Sequence, residues 1–533
     1  GGVDRVIEMN TFGSAKAATI RGLTLQNGLI AAGSAYGGAI YSRGYNLILQ
    51  ELVIQVNIGE GSTRCYGGGV HISGGNVTVS ISDVEFLRNI ARGSGSYAYG
   101  GGLFSNDGTD LYLNNVYFSG NICENSARTY GSAIQAEGNT GVWTGVIAEN
   151  NECQLATRAG AAVTIISESD LTISGITIIN NNTEAGTYSY GAGMRVERSN
   201  VNIDALNLSC NRATSAGNAY ASGIYLDGSS SVPATLSLDN ALVTGNEMIR
   251  NGNYAGYGVA TYLRDNATLN LMNGTLADNF FSGSGTDPVA LGIYSEEVTN
   301  AVNVQNSILW NTAGTELAGF NLAADYSCIQ GGFAGTGILN VNPGFIGAPD
   351  YHLAAGSPCF DVGSNIGIGS LDIEGNVRLQ GGVVDLGAFE GNNNLLTDAC
   401  SLPQIVLDLA DLVFAARVRE TGTVDLDWQH EMGLTDRFVV ERSGDGQIFE
   451  SIGVEPAVTA ERWTFRDLRP RDQTNFYRLR CTDMEGYEQL SEVRKIEVAP
   501  QSNMKVFAGP NPALEQMKVQ WTGSAESAQI QCY

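Results

Sequence analysis

Apolar residues recur along this chain at a spacing that predicts short strands rather than helices. Segments 111–118, 171–178 and 201–208 each place apolar side chains at relative positions 0, 2, 5 and 7. Alternation with a period of two is typical of a strand with one buried face, and the longer step in the middle predicts a bend. We therefore expect each repeat to hold two short strands that meet at a corner. A third strand is expected after a glycine motif, as in segments 38–40 and 193–196.

Three strands per repeat and the lack of a helical period indicate an all-β solenoid, a parallel β-helix whose coils stack at ~4.8 Å. An asparagine that returns every 30 to 35 residues marks the repeat. We expect these side chains to lie at a corner and to hydrogen-bond from coil to coil, which is a structural role rather than a chemical one. The asparagines of this predicted ladder are Asn27, Asn57, Asn89, Asn121, Asn151, Asn181, Asn211, Asn246, Asn279 and Asn311.

A tyrosine followed by glycine or alanine keeps the same period. On stacked coils these residues would form a column of rings, and aromatic faces can bind the apolar faces of sugars, so the column is a candidate binding surface. The alternative is that the rings stack on one another and shield a corner. The column comprises Tyr36, Tyr66, Tyr99, Tyr130, Tyr190, Tyr220 and Tyr257.

Changes in composition predict four regions along the chain. Residues 1–391 hold the repeats and a C-terminal cap, because an uncovered last coil would leave an open sheet edge. Residues 392–403 have the composition of a linker. Residues 404–500 contain several short amphipathic strands, which predicts a β-sandwich. Residues 501–533 begin a further unit.

The charge balance narrows the range of partners. The chain has 55 acidic and 29 basic residues, a formal net charge of −26 at pH 7. This charge argues against nucleic acid and against anionic membrane surfaces as partners. No apolar run is long enough to cross a bilayer, so the chain itself is not expected to span a membrane. Because strand-like sequence begins at residue 1, we expect this start to be internal to a longer precursor.

The nine cysteines are an odd number. Cys123 and Cys153 each lie two residues after a ladder asparagine, so adjacent coils would bring them within reach of a disulfide. Cys328 and Cys359 are 31 residues apart and could stack in the same way. The alternative for all four is a buried thiol that fills a small pocket. No Cys-X-X-Cys pair occurs, which argues against a zinc site.

The first region resembles known β-helix families. Segment 20–28, together with segments 357–363, 372–378 and 384–390, is similar to right-handed parallel β-helix proteins of the pectate-lyase-like, polymorphic outer-membrane-protein-like and choice-of-anchor families. The resemblance implies a right-handed coil and a location at the cell surface. It does not imply a particular enzymatic reaction.

The C-terminal regions resemble two further families. Segments 438–449 and 468–486, with Tyr477 as a corner tyrosine, look like a fibronectin type III domain of the kind common in secreted Bacteroidetes proteins. Segment 504–519 resembles the start of a type IX secretion sorting domain, a second small β-sandwich that would be truncated at residue 533. The resemblance implies export through the type IX translocon, contact with an outer-membrane shuttle protein, and an extracellular or outer-cell-surface location.

Catalytic constellations are not evident in the repeats. A glycosidase needs clustered carboxylates, and a nucleophilic triad needs a base, usually histidine. Arg195 and Arg198, one coil from Asp170 and Glu168, come nearest to the arginine and carboxylate set of pectate-type lyases, and we interpret them as surface charge. The three histidines fall in different regions: His71, His352 and His430.

An acidic segment near the end of the repeats is a candidate metal site. Asp372, Glu374 and Asn376 alternate oxygen-bearing side chains as a calcium loop does, although the rest of an EF-hand loop is missing. The structural interpretation is that Arg378 pairs with one or two nearby carboxylates. We expect no cofactor, and calcium is the alternative.

These patterns favour a secreted cell-surface protein that acts as an adhesin-like binder or scaffold, with glycans or cell surfaces as partners. An enzymatic role is the less favoured hypothesis. It would be a polysaccharide lyase or glycoside hydrolase acting on acidic polysaccharide. A third hypothesis is a passive secretion cargo or a component of a surface layer.

Overall fold

The computed structural model is all-β. Its described residues are 4–11, 16–250, 256–283, 288–311, 314–391, 412–419, 423–429, 435–444, 446, 449–456, 462–467, 470–471, 473–483, 488–498, 505–509 and 518–522. Within these ranges every regular element is a strand, and no helix that could cross a membrane is found. The chain forms two compact units, Gly1–Ser401 and Leu402–Tyr533.

Three parallel sheets form a solenoid in the first unit, and the chain visits them in the order A, B, C. Sheet A contains Ile7–Asn10, Ile40–Arg43, Val70–Ser73, Leu103–Ser105, Ile134–Glu137, Val163–Ile166, Met194–Glu197, Ile224–Asp227, Thr261–Arg264, Ile293–Ser295 and Leu317–Gly319. Sheet B contains Lys16–Gln26, Tyr45–Gln55, Thr78–Leu87, Asp110–Ser119, Thr140–Glu149, Asp170–Ile179, Asn200–Ser209, Ala234–Thr244, Ala267–Met272, Thr275–Ala277, Ala301–Gln305, Ile308–Trp310, Leu322–Asp325 and Cys328–Ile329. Sheet C contains Leu29–Tyr36, Ile58–Tyr66, Ile90–Gly93, Tyr97–Tyr99, Ile122–Glu124, Arg128–Tyr130, Glu152–Gly160, Asn182–Ser189, Arg212–Ser215, Asn218–Ala219, Glu247–Arg250 and Phe280–Gly283.

The apolar template forms one bent strand of sheet B, whereas two strands were expected. In Asp170–Ile179 the four apolar template positions are at most 2% exposed and face the core between the sheets. Gly175 has a φ of +72°, which turns the strand and shifts the inward face by one residue. The pairing with Asn200–Ser209 continues on both sides of the bend. The remaining strand of each turn, in sheet C, begins after the asparagine.

The last turns carry a short antiparallel pair, Phe345–Gly347 and Asp350–Leu353. The segment 361–391 then folds back on sheet B, and we call it the cap segment. The side-chain amide of Asn240 donates to the carbonyl of Leu371, 131 residues away in the chain, at 3.0 Å. Ala388 and Phe389 bury their side chains against Leu242. The cap segment thereby supplies one wall of a cleft described below.

The second unit consists of antiparallel sheets. One contains Val413–Val418, Val424–Gln429 and Arg462–Asp467, and another contains Thr435–Ser443, Glu450–Pro456, Gln473–Asp483, Glu488–Leu490 and Arg494–Val498. Trp428, Phe438 and Tyr477 share their core, and the Tyr477 hydroxyl donates to Asp467 at 2.9 Å. Lys505–Gly509 and Lys518–Thr522 pair as a separate two-stranded sheet. The expected linker at 392–403 lies outside the described residues.

Candidate functional site

Nine of the ten predicted asparagines, Asn57 to Asn311, form a buried ladder at the corner between sheets B and C. Each side-chain amide nitrogen before Asn311 donates to Oδ1 of the next asparagine at 2.8–3.1 Å. The same Oδ1 also accepts the preceding asparagine's backbone N–H, as Asn181 does from Asn151 at 2.9 Å. The amide of Asn181 further donates to the carbonyl of Ala148 at 2.9 Å. These groups are used within the fold, which leaves the ladder no chemistry for a ligand.

Asn27 does not belong to the ladder, so that prediction was wrong. Its side chain is exposed, and its φ of +59° is the left-handed conformation that recurs one residue before the ladder positions from Asn57 to Asn279, as at Val56 and Asn150. Asparagine tolerates this conformation well. Gly28 takes the first ladder position and donates its backbone N–H to Asn57 Oδ1 at 2.9 Å.

The ladder ends on a carboxylate that the sequence analysis did not single out. Asn311 donates its backbone N–H to Glu316 Oε1 at 2.7 Å and its side-chain amide to Oε2 at 2.6 Å. Glu316 is 2% exposed. Burial raises its pKa to about 7, although the two hydrogen bonds from Asn311 act to lower it. A carboxylate fits the position because both facing groups are donors.

The seven predicted tyrosines do form a column, at the end of the sheet C strands. Neighbouring rings lie 5.2–6.3 Å apart between centroids. A second column from sheet A packs against it and comprises Tyr41, His71, Phe104, Tyr225, Tyr262 and Tyr294. Burial raises the pKa of Tyr190 to about 12. The ring faces are turned to neighbouring rings.

The column is interrupted at Gly160, which pairs in register with Tyr130. The Arg195 guanidinium occupies the gap, 4.1 Å from the centre of the Tyr130 ring, and forms an ion pair with Glu197. The Arg195 side chain is therefore engaged by Tyr130 and Glu197 and does not contact Asp170. The Asp170 carboxylate instead accepts a hydrogen bond from Asn200 at 2.8 Å. Arg198 and Glu168 lie exposed, joined through the Glu168 N–H and the Arg198 carbonyl at 2.8 Å.

The four cysteines predicted to pair are free, buried thiols. Cys123 and Cys153 are register partners on adjacent strands, where the strand spacing of ~4.8 Å exceeds the ~3.8 Å between Cβ atoms that a disulfide needs. Their thiols instead donate to the carbonyls of Tyr130 and Gly160. Burial raises the pKa of the Cys123 thiol. Cys328 and Cys359 share a buried cluster in the same free state.

The expected calcium loop is closed by internal hydrogen bonds. Asp372 Oδ1 accepts the backbone N–H of Glu374 at 3.0 Å and of Asn376 at 2.8 Å, and its Oδ2 accepts that of Glu390 at 3.0 Å. Nowhere in the described ranges do three or more histidine, cysteine or acidic side chains group as metal ligands would. The loop is a turn that secures the cap segment, so the calcium interpretation is not supported by this geometry.

Arg378 forms the expected ion pair with a carboxylate, that of Glu390, and also has backbone partners. Its guanidinium donates to the carbonyls of Gly387 and Ala388 at 3.0 Å each and to Asn240 Oδ1, while Glu390 lies 3.7 Å away. Backbone carbonyls are therefore its closest acceptors together with Asn240. Among the histidines, His71 is buried among rings with a pKa lowered by burial to about 3, and His352 lies 2.6 Å from Asp350. His430 lies outside the described residues.

A cleft of about 850 Å³ lies on the outer face of sheet B. Its floor has two rows of side chains in register on consecutive strands. The first row is Asn202, Ser237, Asn270 and Asn303, and the second is Asp204, Asp239, Met272 and Gln305. The cap segment borders the cleft at Gly367, and Gln305 donates to the carbonyl of Ile366 at 3.0 Å.

Two carboxylates stand side by side in this cleft. Asp204 and Asp239 are register partners on adjacent strands. Asn240 donates to Asp204 at 2.8 Å, and Asn273 donates to Asp239 at 2.7 Å. Burial raises the pKa of Asp239, and the negative charge of Asp204 acts in the same direction. The sequence analysis missed the cleft because outward polar residues on a strand look like an ordinary solvated face.

Comparison of the chain with protein-family models, with curated proteins and with solved structures found no match.

Proposed function

We propose that the protein is a secreted cell-surface solenoid that binds glycans in the cleft on sheet B and acts as an adhesin-like binder or scaffold. The observation that carries the proposal is the repetition of amide, hydroxyl and carboxylate groups at the strand spacing along the cleft floor. A polysaccharide repeats hydroxyl groups that both donate and accept hydrogen bonds. Asparagine matches both roles, aspartate accepts, and Met272 adds an adaptable apolar contact.

Binding by the full chain to a glycan panel tests this proposal. Asn270 and Asn303 are hydrogen-bonded to each other at 2.9 Å in the cleft floor. We expect N270A/N303A to weaken binding by roughly tenfold or more, because each lost hydrogen bond contributes about 1 kcal/mol. Asn114→Ala is the matched control, since Asn114 is exposed on sheet B outside the cleft. A wild-type chain that bound no glycan of the panel would leave the passive cargo or surface-layer hypothesis.

The resemblance of the C-terminal segments to fibronectin type III and sorting domains supports the proposed location at the cell surface. The chain would then leave the cell through the type IX translocon and meet an outer-membrane shuttle protein. Antiparallel strands occur in both segments, as such domains require. Capture of an outer-membrane shuttle from native membranes by the chain, and loss of capture without residues 501–533, would be the expected result.

A second candidate function, polysaccharide hydrolysis, is favoured by the Asp204–Asp239 pair. Residues in register on adjacent strands lie roughly 5 Å apart, near the separation of the two carboxyl groups in retaining glycosidases. A raised pKa at Asp239 suits a general acid. The measurement is the release of reducing ends from polysaccharides. Asp239→Asn should abolish release and keep binding, whereas a wild-type chain that releases none rules this candidate out.

A further inference from the structure

The outer face of sheet C carries a long depression that none of the preceding proposals uses. Two adjoining hollows of about 810 and 690 Å³ share Ser94 and Asn125. Their lining begins at Ala31 in an early turn and ends near Thr214 several turns later, so the depression follows the stacking direction of the coils. Small side chains and backbone form much of its floor. We call this feature the furrow.

A row of arginine and tyrosine side chains borders one edge of the furrow. Ala127, Thr157 and Thr187 line it, and the next residue in each case belongs to the row. Strand register aligns its members, which are Arg64, Tyr97, Arg128, Arg158 and Tyr188. We call them the Arg/Tyr row.

The rings hold the guanidinium groups of this row in place. Arg64 and Arg128 each lie 5.5 Å from the centre of the Tyr97 ring. Arg158 lies 5.3 Å from the centre of the Tyr188 ring. Such contacts orient a cation without neutralising it, so the positive charges remain directed to solvent beside the furrow.

Among the described residues, the arginines of the row differ from other arginines of sheet C in that they lack carboxylate partners. In the described part of the solenoid, Arg64, Arg128 and Arg158 form no ion pair with a carboxylate, whereas Arg92 and Arg212 on the same sheet pair with Glu124 and Glu247. The whole chain carries a net charge of −26, so carboxylates are abundant. A row of cations whose charge no carboxylate of the described solenoid neutralises is available to bind an external anion.

The opposite edge of the furrow is different. It carries exposed Glu60 and Glu184, together with the Arg92–Glu124 ion pair. These carboxylates repel anionic groups from that edge. The anionic groups of a ligand would therefore lie along the Arg/Tyr row, which sets the orientation of the ligand across the furrow.

We propose that the furrow binds a linear anionic polysaccharide, with its carboxylate or sulfate groups on the three arginines that Tyr97 and Tyr188 hold in place. Guanidinium groups bind such oxyanions through paired, charge-assisted hydrogen bonds. Arg128 and Arg158 are one strand spacing apart and Arg64 is two spacings from Arg128, at ~4.8 Å per spacing, which suits charges that repeat along a polymer. Duplex DNA is disfavoured because its dense phosphate charge opposes the acidic molecule.

The test measures binding of the full chain to dextran sulfate, polygalacturonate, neutral dextran and duplex DNA. We expect binding to at least one of the two anionic polysaccharides, weakened by salt, and no binding to dextran. R128Q/R158Q should weaken the binding about tenfold for each arginine. Arg212→Gln is the matched control, because Arg212 is exposed on the same sheet and already paired with Glu247. Its binding should equal that of the wild type.

Preference for dextran sulfate would identify sulfate as the recognised group, and preference for polygalacturonate would identify carboxylate. Equal binding by R128Q/R158Q and the wild type, binding to neither anionic polymer, or tighter binding to DNA would overturn the proposal. The furrow and the cleft are on different sheets. N270A/N303A therefore serves as a second control that should keep its binding to the anionic polymers, whether or not the cleft binds glycans.

Discussion

At the scale of single residues, buried amides and one buried carboxylate hold the corner between sheets B and C. Each interior ladder asparagine satisfies groups on both neighbouring coils, so one substitution leaves several buried donors and acceptors without partners. Asn181, for example, accepts from Asn151 and donates to Asn211. An unsatisfied buried polar group costs about 1–3 kcal/mol, which makes these positions sensitive although they bind no ligand.

Asn181→Ala should lower the free energy of unfolding by at least about 3 kcal/mol, because more than one buried group loses its partner. Urea unfolding followed by circular dichroism measures the change. Asn27→Gly is the control, since Asn27 is exposed, lies outside the ladder and already has a left-handed backbone that glycine adopts freely. Similar losses in the two variants would contradict the structural role of the ladder.

The raised pKa of Glu316 predicts that the stability of the fold depends on pH. Its folded-state pKa of about 7 lies above the ordinary 4.5, so the folded state binds this proton more tightly than the unfolded state. The stabilisation of the folded state by this tighter proton binding is fully present below pH 4.5 and is lost as the pH rises through about 7. The loss amounts to about 3 kcal/mol.

Glu316→Gln removes this titration and places an amide nitrogen against one of the two donors of Asn311. We therefore expect the variant to be less stable than the wild type at about pH 5 and the difference to shrink by about pH 8. Glu390 and Asp227, with pKa values raised by burial to about 7 and about 6, continue to titrate in both proteins. A wild-type-minus-variant difference that grows with pH would refute the assignment.

At the scale of elements, the two aromatic columns join the sheet C strands to the sheet A strands across the glycine turn. Tyr220 shows how: it stacks between Tyr190 and Tyr257 at 5.2 Å to each, with ring planes only 10° and 4° from parallel. Where Gly160 omits a ring, Arg195 replaces it. The coil of Gly160 contributes no ring, and the Arg195 guanidinium that fills the gap comes from the next coil.

Tyr220→Ala should destabilise the solenoid by about 2 kcal/mol, since a half-buried ring and two stacking contacts are lost. Binding of glycans in the cleft should not change, because the column does not line the cleft. Tyr112→Ala, at an exposed tyrosine of sheet B, is the control for stability. Loss of binding with unchanged stability would restore the column as a binding surface.

Features that repeat with the coil could be predicted from the sequence. The ladder spacing and the apolar template both follow the repeat, and the Arg/Tyr row was accessible too, because Arg64, Arg128, Arg158 and Tyr188 each lie seven residues after a ladder asparagine. Tyr97 lies eight residues after Asn89, and this extra residue obscured the row. A shorter coil explains Asn27, because Gly28, 29 residues before Asn57, takes the ladder position.

The wall of the cleft could not be predicted. Its contacts join single positions far apart in the chain, such as Asn240 and Leu371, which are separated by 131 residues and belong to no repeat. The side-by-side placement of Asp204 and Asp239 was accessible from the sequence, by contrast, because each lies seven residues before a ladder asparagine, Asn211 and Asn246. Local patterns contain neither the return of the cap segment nor its register on sheet B.

At the scale of the solenoid as a whole, the cap segment packs on the outer face of sheet B and joins strands near the C-terminal end of the stack. Arg378 is central to this packing, because it is fully buried and donates to two carbonyls of the cap segment and to Asn240 of sheet B. Removal of one partner from such a buried charged network leaves the remaining groups without compensation. The end of the solenoid should therefore loosen before its middle.

Arg378→Met should destabilise this end by about 3–5 kcal/mol. Hydrogen exchange of the full chain should accelerate in residues 371–391 and remain slow in Val163–Ile166, which lies in the middle of sheet A. Arg21→Met is the control, because Arg21 forms only an exposed pair with Glu51 and should show no measurable change. Uniform acceleration along the chain would show that the cap and the coils unfold together.

The hydrogen bonds from one asparagine side chain to the next all run in one direction, and this gives the stack two unlike ends. Each coil donates an amide toward the C-terminal side, so the aligned dipoles leave partial positive charge beside Asn311, where the Glu316 carboxylate lies. The other end presents an oxygen, which the Gly28 N–H satisfies. A coil duplicated or deleted in the interior finds both partners in place, so gene rearrangement can lengthen or shorten the protein by whole repeats, while each terminus requires its own chemically specific closing group.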